Sequence, residues 1–286
     1  MPASGQVTGC AAPHSVEGMR LATWNVNSIR TRVDRVIAFL NDFDIDVLAM
    51  QEIKCRTDQF PLLPFEEAGY EVAAHGLNQW NGVAIASRVG LDGVQLGFPG
   101  VPEYEGVSEA RAIGARVGFA PQGGEGELAD ALTLWSLYVP NGRELDHPHY
   151  AYKLAWFEAL RAAGIGWLQA DGDAKIALVG DWNVAPLDGD VWSMDFFAGK
   201  THVSEPERAA LRGIEEAGFR EVTREFAPDQ YTYWDYQQLR FPRNEGMRID
   251  FVHASPALSV SGAEIVRNER KGKGASDHVP VIFEVP

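Results

Sequence analysis

Five short polar segments follow apolar runs and carry side chains suited to proton transfer and to holding ions. They are Trp24-Asn25-Val26-Asn27, Gln51-Glu52-Ile53-Lys54, Tyr138-Val139-Pro140-Asn141-Gly142, Gly180-Asp181-Trp182-Asn183 and Ser276-Asp277-His278. Between them they bring acids, amides, a phenol and an imidazole to strand ends, where loops expose functional groups to a cleft. Taken one at a time, each has a plain structural reading. Glu52 or Asp277 alone is a turn former or a helix cap, and His278 alone is a hydrogen-bonded structural histidine. Asp181 and Asn183 are both common turn residues. Asp250 differs, because it lies inside the apolar run Arg248-Ile249-Asp250-Phe251-Val252. A charge there is costly unless a cation or a hydrogen-bond donor meets it.

The elements that must position these groups are legible as recurring strand-length runs: LATWNV, DVLAM, YEVAA, GVAIAS, AIGARVGF, LTLWSLYV, KIALVG, RIDFVHA and VPVIFEV. Many end at Gly, Pro or Asn. Helical spacing marks Val33, Val36, Ile37 and Leu40. It recurs from Tyr150 to Leu168, and again from Glu205 to Ala217 with Gly218 as the stop. Nine strands with interspersed helices predict sheets covered by helices on their outer faces. Residues 19–286 contain no linker and read as one domain. Residues 1–18 hold no Lys or Arg, are rich in Ala, Ser, Gly and Pro, and read as a disordered tail, with Met19 as a second candidate start. One internal echo stands out: 21–28 and 177–186 both run a strand into Trp-Asn-Val and a polar turn. Two half-domains would then each deliver an Asn, Asn25 and Asn183, to a shared cleft.

With 286 residues, 45% of them hydrophobic, the chain can bury a large core without disulfides or a structural metal. Its two cysteines, Cys10 and Cys55, read as free thiols in a reduced, cytoplasmic setting. No apolar run reaches the roughly 18 residues of a membrane span. The net charge of −15 argues against a generic nucleic-acid binder. The charge is uneven, however. From Arg240 to Lys273 there are seven Lys/Arg and four Asp/Glu, a balance of +3 that leaves −18 for the remainder. Arg30, Arg32, Arg35, Lys54 and Arg56 form a second basic group.

Taken together and in order, the segments resemble the exonuclease III-like AP endonucleases of the endonuclease/exonuclease/phosphatase superfamily. Gln51-Glu52, Gly180-Asp181-Trp182-Asn183 and Ser276-Asp277-His278 carry the superfamily likeness. Leu137-Tyr138-Val139-Pro140-Asn141-Gly142, Tyr231-Thr232-Tyr233-Trp234-Asp235-Tyr236 and Arg248-Ile249-Asp250-Phe251 carry the nuclease branch. The resemblance covers about residues 19–286 and implies a four-layer α/β sandwich, two β-sheets face to face with helices outside. It also implies a magnesium-dependent phosphodiester hydrolase, with manganese as the alternative ion, acting as a monomer on duplex DNA at abasic sites or 3′ ends. Glu52 would be the principal metal ligand, helped by Asn25 and Asp277. Asp181 would orient or deprotonate water, and Asn183 would hold the phosphate. His278, paired with Asp250, would donate to a phosphate oxygen, and Tyr138 would serve the phosphate or the leaving oxygen. Arg143 and Lys271 would contact DNA, with Lys271 part of the Arg267, Arg270, Lys271, Lys273 cluster. Tyr233, Trp234, Met247 and Ile249 read by themselves as core, and the resemblance makes some of them walls of a pocket for a base-free sugar. Two departures stand against the family pattern, which frequently has Gly at the position of Ser28 and, in animal members, an aromatic at that of Met247. The alternatives are another phosphoesterase of the superfamily and a non-catalytic RNA-binding regulator. His147-Pro148-His149 has the look of a zinc pair without a third ligand nearby, and reads better as a helix opening.

Overall fold

The computed structural model describes residues 18–119 and 126–286. The expected tail, except for Gly18, lies outside those residues, and Cys10 with it. Twelve strands form among the described residues: β1 (Met19–Asn25), β2 (Val47–Gln51), β3 (Glu71–His75), β4 (Val83–Ser87), β5 (Leu91–Leu96), β6 (Ala112–Phe119), β7 (Ala129–Tyr138), β8 (Ile176–Asp181), β9 (Arg220–Glu221), β10 (Asp250–Ala254), β11 (Gly262–Ile265) and β12 (Val281–Val285). The helices are α1 (Val33–Asp42), α2 (Leu62–Glu67), α3 (Pro148–Ala170), α4 (Met194–Phe197) and α5 (Glu205–Glu216). The three helices expected from periodicity are α1, α3 and α5. None is long and apolar enough to cross a membrane.

Two six-stranded sheets result, in the orders β11-β12-β1-β2-β4-β3 and β5-β6-β7-β8-β10-β9. Each has one parallel pair near its centre, β1 with β2 and β7 with β8, flanked by antiparallel neighbours. Strand alternation sorts the side chains into layers. Leu21, Val47, Ala49 and Ile85 of the first sheet meet Ile113, Leu134, Val179 and Val252 of the second in the inner core. On the far side of the first sheet, Trp24, Leu48 and Met50 pack under Val36, Phe39 and Leu40 of α1 and Phe65 of α2. On the far side of the second, Trp135, Leu178 and Phe251 pack under Tyr152, Trp156 and Leu160 of α3 and Leu211 and Ile214 of α5. The architecture is the four-layer α/β sandwich expected from the sequence. The two parallel pairs bring the C-terminal ends of β1, β2, β7 and β8 to one end of the sandwich. All the chemically competent segments sit there.

Candidate active site

Asn25, the last residue of β1, is fully buried and spans two carboxylates. Its amide nitrogen donates to Glu52 Oε1 at 2.8 Å and to Asp181 Oδ2 at 3.0 Å. Its carbonyl oxygen accepts the Asn27 N–H at 3.0 Å. Glu52 follows β2 in a left-handed conformation, φ 51°. That backbone turns its side chain inward, to meet Asn25 and the Lys54 ammonium at 2.8 Å. Lys54 also donates to Asn27 Oδ1 at 2.6 Å, and Asn27 donates to Asp277 Oδ1 at 2.9 Å. Burial works to raise the Glu52 carboxyl, but Lys54 and the Asn25 amide outweigh it and leave it lowered.

Asp181 closes β8 directly opposite Asp250 of β10 in the antiparallel register. Two acids face each other across buried strands, and the structure places His278 with them. His278 Nδ1 lies 2.9 Å from Asp250 Oδ2, and its Nε2 lies 3.7 Å from Asp181 Oδ2. Burial alone would depress the imidazole. Asp250 first and Asp181 second overcome that and push it up to about 10, so the ring is an imidazolium near neutrality. Asp181 is pushed up to about 7, chiefly by burial, with Asp250 and Glu52 adding to the effect and His278 opposing it. Tyr233 lays its ring edge-on to His278 at 4.9 Å. Tyr138, at the end of β7, lies under the Arg111 guanidinium at 4.7 Å. Its phenol is held well above its ordinary value by burial and then by Glu52.

Asn183 is also left-handed, φ 51°. It donates to Val139 O at 3.0 Å, and its own carbonyl accepts from Asn141 at 3.2 Å and faces His202 Nε2 at 3.1 Å. Sequence reasoning missed His202, Arg111 and the role of Asn27. Each acts through a contact with a residue far away in the chain, and no local pattern marks it. The one available signal was the polar character of Asn27 and Asn141 inside segments already singled out.

Among the described residues, one group of His, Cys, Asp and Glu has ligand atoms close enough to hold an ion: Glu52, Asp181 and His278, all within 4.8 Å of one another. With His278 charged, the oxygen donors there are the two carboxylates, which suit a hard divalent cation. The three expected ligands do not converge on one point. Asn25 offers the carboxylates its N–H groups rather than an oxygen. Asp277 is turned to Asn27, outside that group.

The expected DNA-contacting residues divide. Arg143 is exposed at φ 60° on the loop after β7, its guanidinium 3.2 Å from His147 Nε2. Lys271 is exposed on the turn before Ser276. Tyr233 and Met247 line a cavity of about 190 Å³ with Trp192, Phe196 and Phe197, beside His278. Trp234 is corrected: it is 1% exposed and packs in the inner core against Phe241 and Tyr231, so it cannot wall a DNA pocket. Ile249, 2% exposed, is likewise interior. Arg267 and Arg270 do not form a free basic strip, since their guanidiniums lie 4.5 Å over Phe241 and 4.8 Å over Tyr236. The His147-Pro148-His149 segment opens α3. His147 accepts the His149 N–H, and the buried His149 ring accepts the Gly142 N–H.

Known proteins share both this sequence order and this fold. The profile of the endonuclease/exonuclease/phosphatase family matches residues 22–278. The chain is similar to exodeoxyribonuclease III of Haemophilus influenzae, 27% identical over 280 residues that cover 93% of this chain and 99% of the relative. Among solved structures, it superposes on the 3′ phosphatase NExo from Neisseria, bound to a product DNA hairpin, with a TM-score of 0.84 and 31% identity over 94% of this chain and 99% of that one. An AP endonuclease from Archaeoglobus fulgidus gives a TM-score of 0.81 and 33% identity over 93% of this chain and 98% of that one.

Proposed function

The chain belongs to the endonuclease/exonuclease/phosphatase family, and from that premise we propose that it is a DNA repair nuclease, hydrolysing phosphodiester bonds at abasic sites and 3′ ends of duplex DNA. The observation that carries this reading is the Glu52–Asn25–Asp181 bridge joining the two sheets, with the Asp250–His278 pair beside it. A divalent cation, magnesium or in its place manganese, would be held by Glu52 and Asp181 and would supply Lewis-acid stabilisation of charge on the phosphate.

The chain's own residues account for the rest. Asp181, which faces Asp250 across the strands and His278 beside it, orients the attacking water and takes its proton. The His278 imidazolium, fixed by Asp250, donates to a non-bridging phosphate oxygen, where negative charge accumulates. Asn183 orients the phosphate, and Tyr138 stands by the leaving 3′ oxygen. Arg143 and Lys271 meet the backbone outside the cleft. Arg30, Lys54, Arg56 and the exposed Trp80 line an open basic hollow of about 430 Å³ that Lys54 joins to Glu52, which supports a duplex-binding face despite the negative net charge.

The test is a rate measurement on duplexes with a central abasic site beside blunt duplexes, with magnesium and with a chelator, for wild type and Glu52→Gln. Cleavage requires the metal, and the variant keeps less than about a tenth of the wild-type rate, because the amide retains the shape but not the charge. Metal-independent cleavage, or a fully active variant, would sink the assignment.

A further inference from the structure

Lys153 of α3 and Glu207 in the first turn of α5 have no solvent exposure on either side chain, and Lys153 Nζ lies 2.5 Å from Glu207 Oε1. The other two protons of the ammonium go to backbone carbonyls of the site loops. Lys153 Nζ donates to Asn183 O at 2.6 Å and to Asn141 O at 3.2 Å. The carboxylate is as fully used. Glu207 Oε1 also accepts the His202 N–H at 3.0 Å, and Oε2 accepts the Ser204 N–H at 3.2 Å and its hydroxyl at 2.5 Å. One buried pair therefore ties together the loop after β7, the loop after β8 and the loop that leads into α5.

Those three loops supply everything that holds the Asn183 amide. Val139 O accepts from it, Asn141 donates to it, and His202 faces its oxygen. Asn183 itself stands in a left-handed conformation that its surroundings must enforce. Capping α5 does not explain the arrangement. Glu207 caps the helix without any need of Lys153, and a cap does not require both partners to be stripped of water. Nor does the mutual attraction of the two charges, since the cost of stripping both of water offsets much of it.

We propose that the Lys153–Glu207 pair is a positioning element for the reaction: by anchoring the Asn141 and Asn183 carbonyls and the His202 N–H at one buried point, it sets the Asn183 amide against the scissile phosphate. Neither residue touches substrate. The rate readout rests on the nuclease reading, and a structural readout separates the two.

The experiment compares wild type, the apolar double variant Lys153→Met/Glu207→Leu and the single variant Lys153→Arg, on a duplex with a central abasic site. The double variant is expected to fold but to melt several degrees below wild type, because the Asn141 and Asn183 carbonyls and the His202 and Ser204 N–H groups lose their buried partner. Its kcat should fall at least about 30-fold, with KM within about threefold, because transition-state contacts are lost while ground-state binding is kept. Its crystal structure should show Asn183 out of the left-handed conformation. A folded double variant with kcat within threefold of wild type overturns the proposal. Should the double variant not fold, Lys153→Arg decides: its planar fork cannot reproduce the three-point contact, and an undiminished kcat overturns the proposal. If wild type itself cleaves no DNA, the nuclease reading falls by that result alone. The positioning claim is then judged by the variant's structure, where an unmoved Asn183 overturns it.

Discussion

Ser28 stands at φ 87° and ψ 102°, a conformation that glycine adopts freely and serine does not. Its N–H donates to Glu52 O at 2.7 Å, and Glu52 and Lys54 are themselves left-handed at φ 51°. Left-handed residues therefore gather where Asn25, Glu52 and Asn27 converge, as expected of a site that stores strain to hold its side chains. The Gly that the family resemblance implies at this position would adopt this backbone without strain. Ser28→Gly is expected to raise stability by about 1 kcal/mol, the relieved strain outweighing the extra freedom glycine gains in the unfolded chain. In a chain of this size that corresponds to roughly 2–4 °C in thermal unfolding. A lower melting temperature would mean that Ser28 makes a compensating contact. Asp250 is the residue-scale case where sequence reasoning reached furthest. An acid between Ile249 and Phe251 demanded a partner, and the structure provides the His278 imidazole at 2.9 Å.

Every strand that the sequence left unread lies at a sheet edge, although the remaining edge strand, β3, was read. All nine expected runs form strands, and β5, β9 and β11 were unanticipated. Each of those three is a sheet edge. An edge strand pairs on one side only and is less enclosed, so it needs no continuous apolar run. β5 carries a glycine and a register shift, β9 is two residues long, and β11 is mostly half-exposed. Interior strands leave less latitude. Gly180 precedes Asp181 on β8 at φ 144°, and a Cβ there would run into the Leu137 carbonyl on the parallel neighbour β7. Backbone cannot yield as a flexible side chain can. Gly180→Ala is therefore expected to cost about 3 kcal/mol or more, as overpacking and backbone strain add. Urea titration followed by circular dichroism measures it, and a loss under 1 kcal/mol would show that the two strands can separate locally.

At the scale of the whole molecule, the two sheets repeat one topological plan. Read from opposite ends, the two sheets share one plan, in which an antiparallel neighbour, a central strand, its parallel partner and two further antiparallel strands follow in turn. β1 and β8 are the equivalent central strands, and both run into Trp-Asn-Val, so the internal echo has a structural counterpart. Trp24 and Trp182 are fully buried beneath opposite helical layers. Each indole N–H donates to a backbone carbonyl, of His278 and of Phe251 respectively, at 3.1 Å in both cases. The second sheet also buries His253, whose ring nitrogens have no partner among the described residues and whose ring lies 4.4 Å from Trp182. Burial lowers its pKa from 6.5 to about 3, so the unfolded chain takes up the proton first. The stability of the neutral buried ring is complete above about pH 6.5 and is lost at about 1.4 kcal/mol per unit as pH falls toward 3. His253→Phe removes that dependence. Between pH 6.5 and pH 5 the stability of the variant should gain about 2 kcal/mol on wild type, read as the difference between their denaturation midpoints. A constant difference across that range would mean the ring is already protonated or hydrated when folded.

The sequence by itself determined the interior strands, the three long helices and the set of acids and amides at strand ends. These depend on local periodicity and on the cost of burying a charge, both of which act over a few neighbouring residues. It also carried the ordered motifs that resemble the nuclease family. Only the tertiary structure decided which groups meet. It pointed Asn25's N–H groups at Glu52 and Asp181, turned Asp277 away to Asn27, sank Trp234 into the inner core and brought His202 and Lys153 to Asn183. Those contacts join residues tens to hundreds of positions apart. They follow from the register of two packed sheets and the paths of their loops, which no window of the chain encodes on its own.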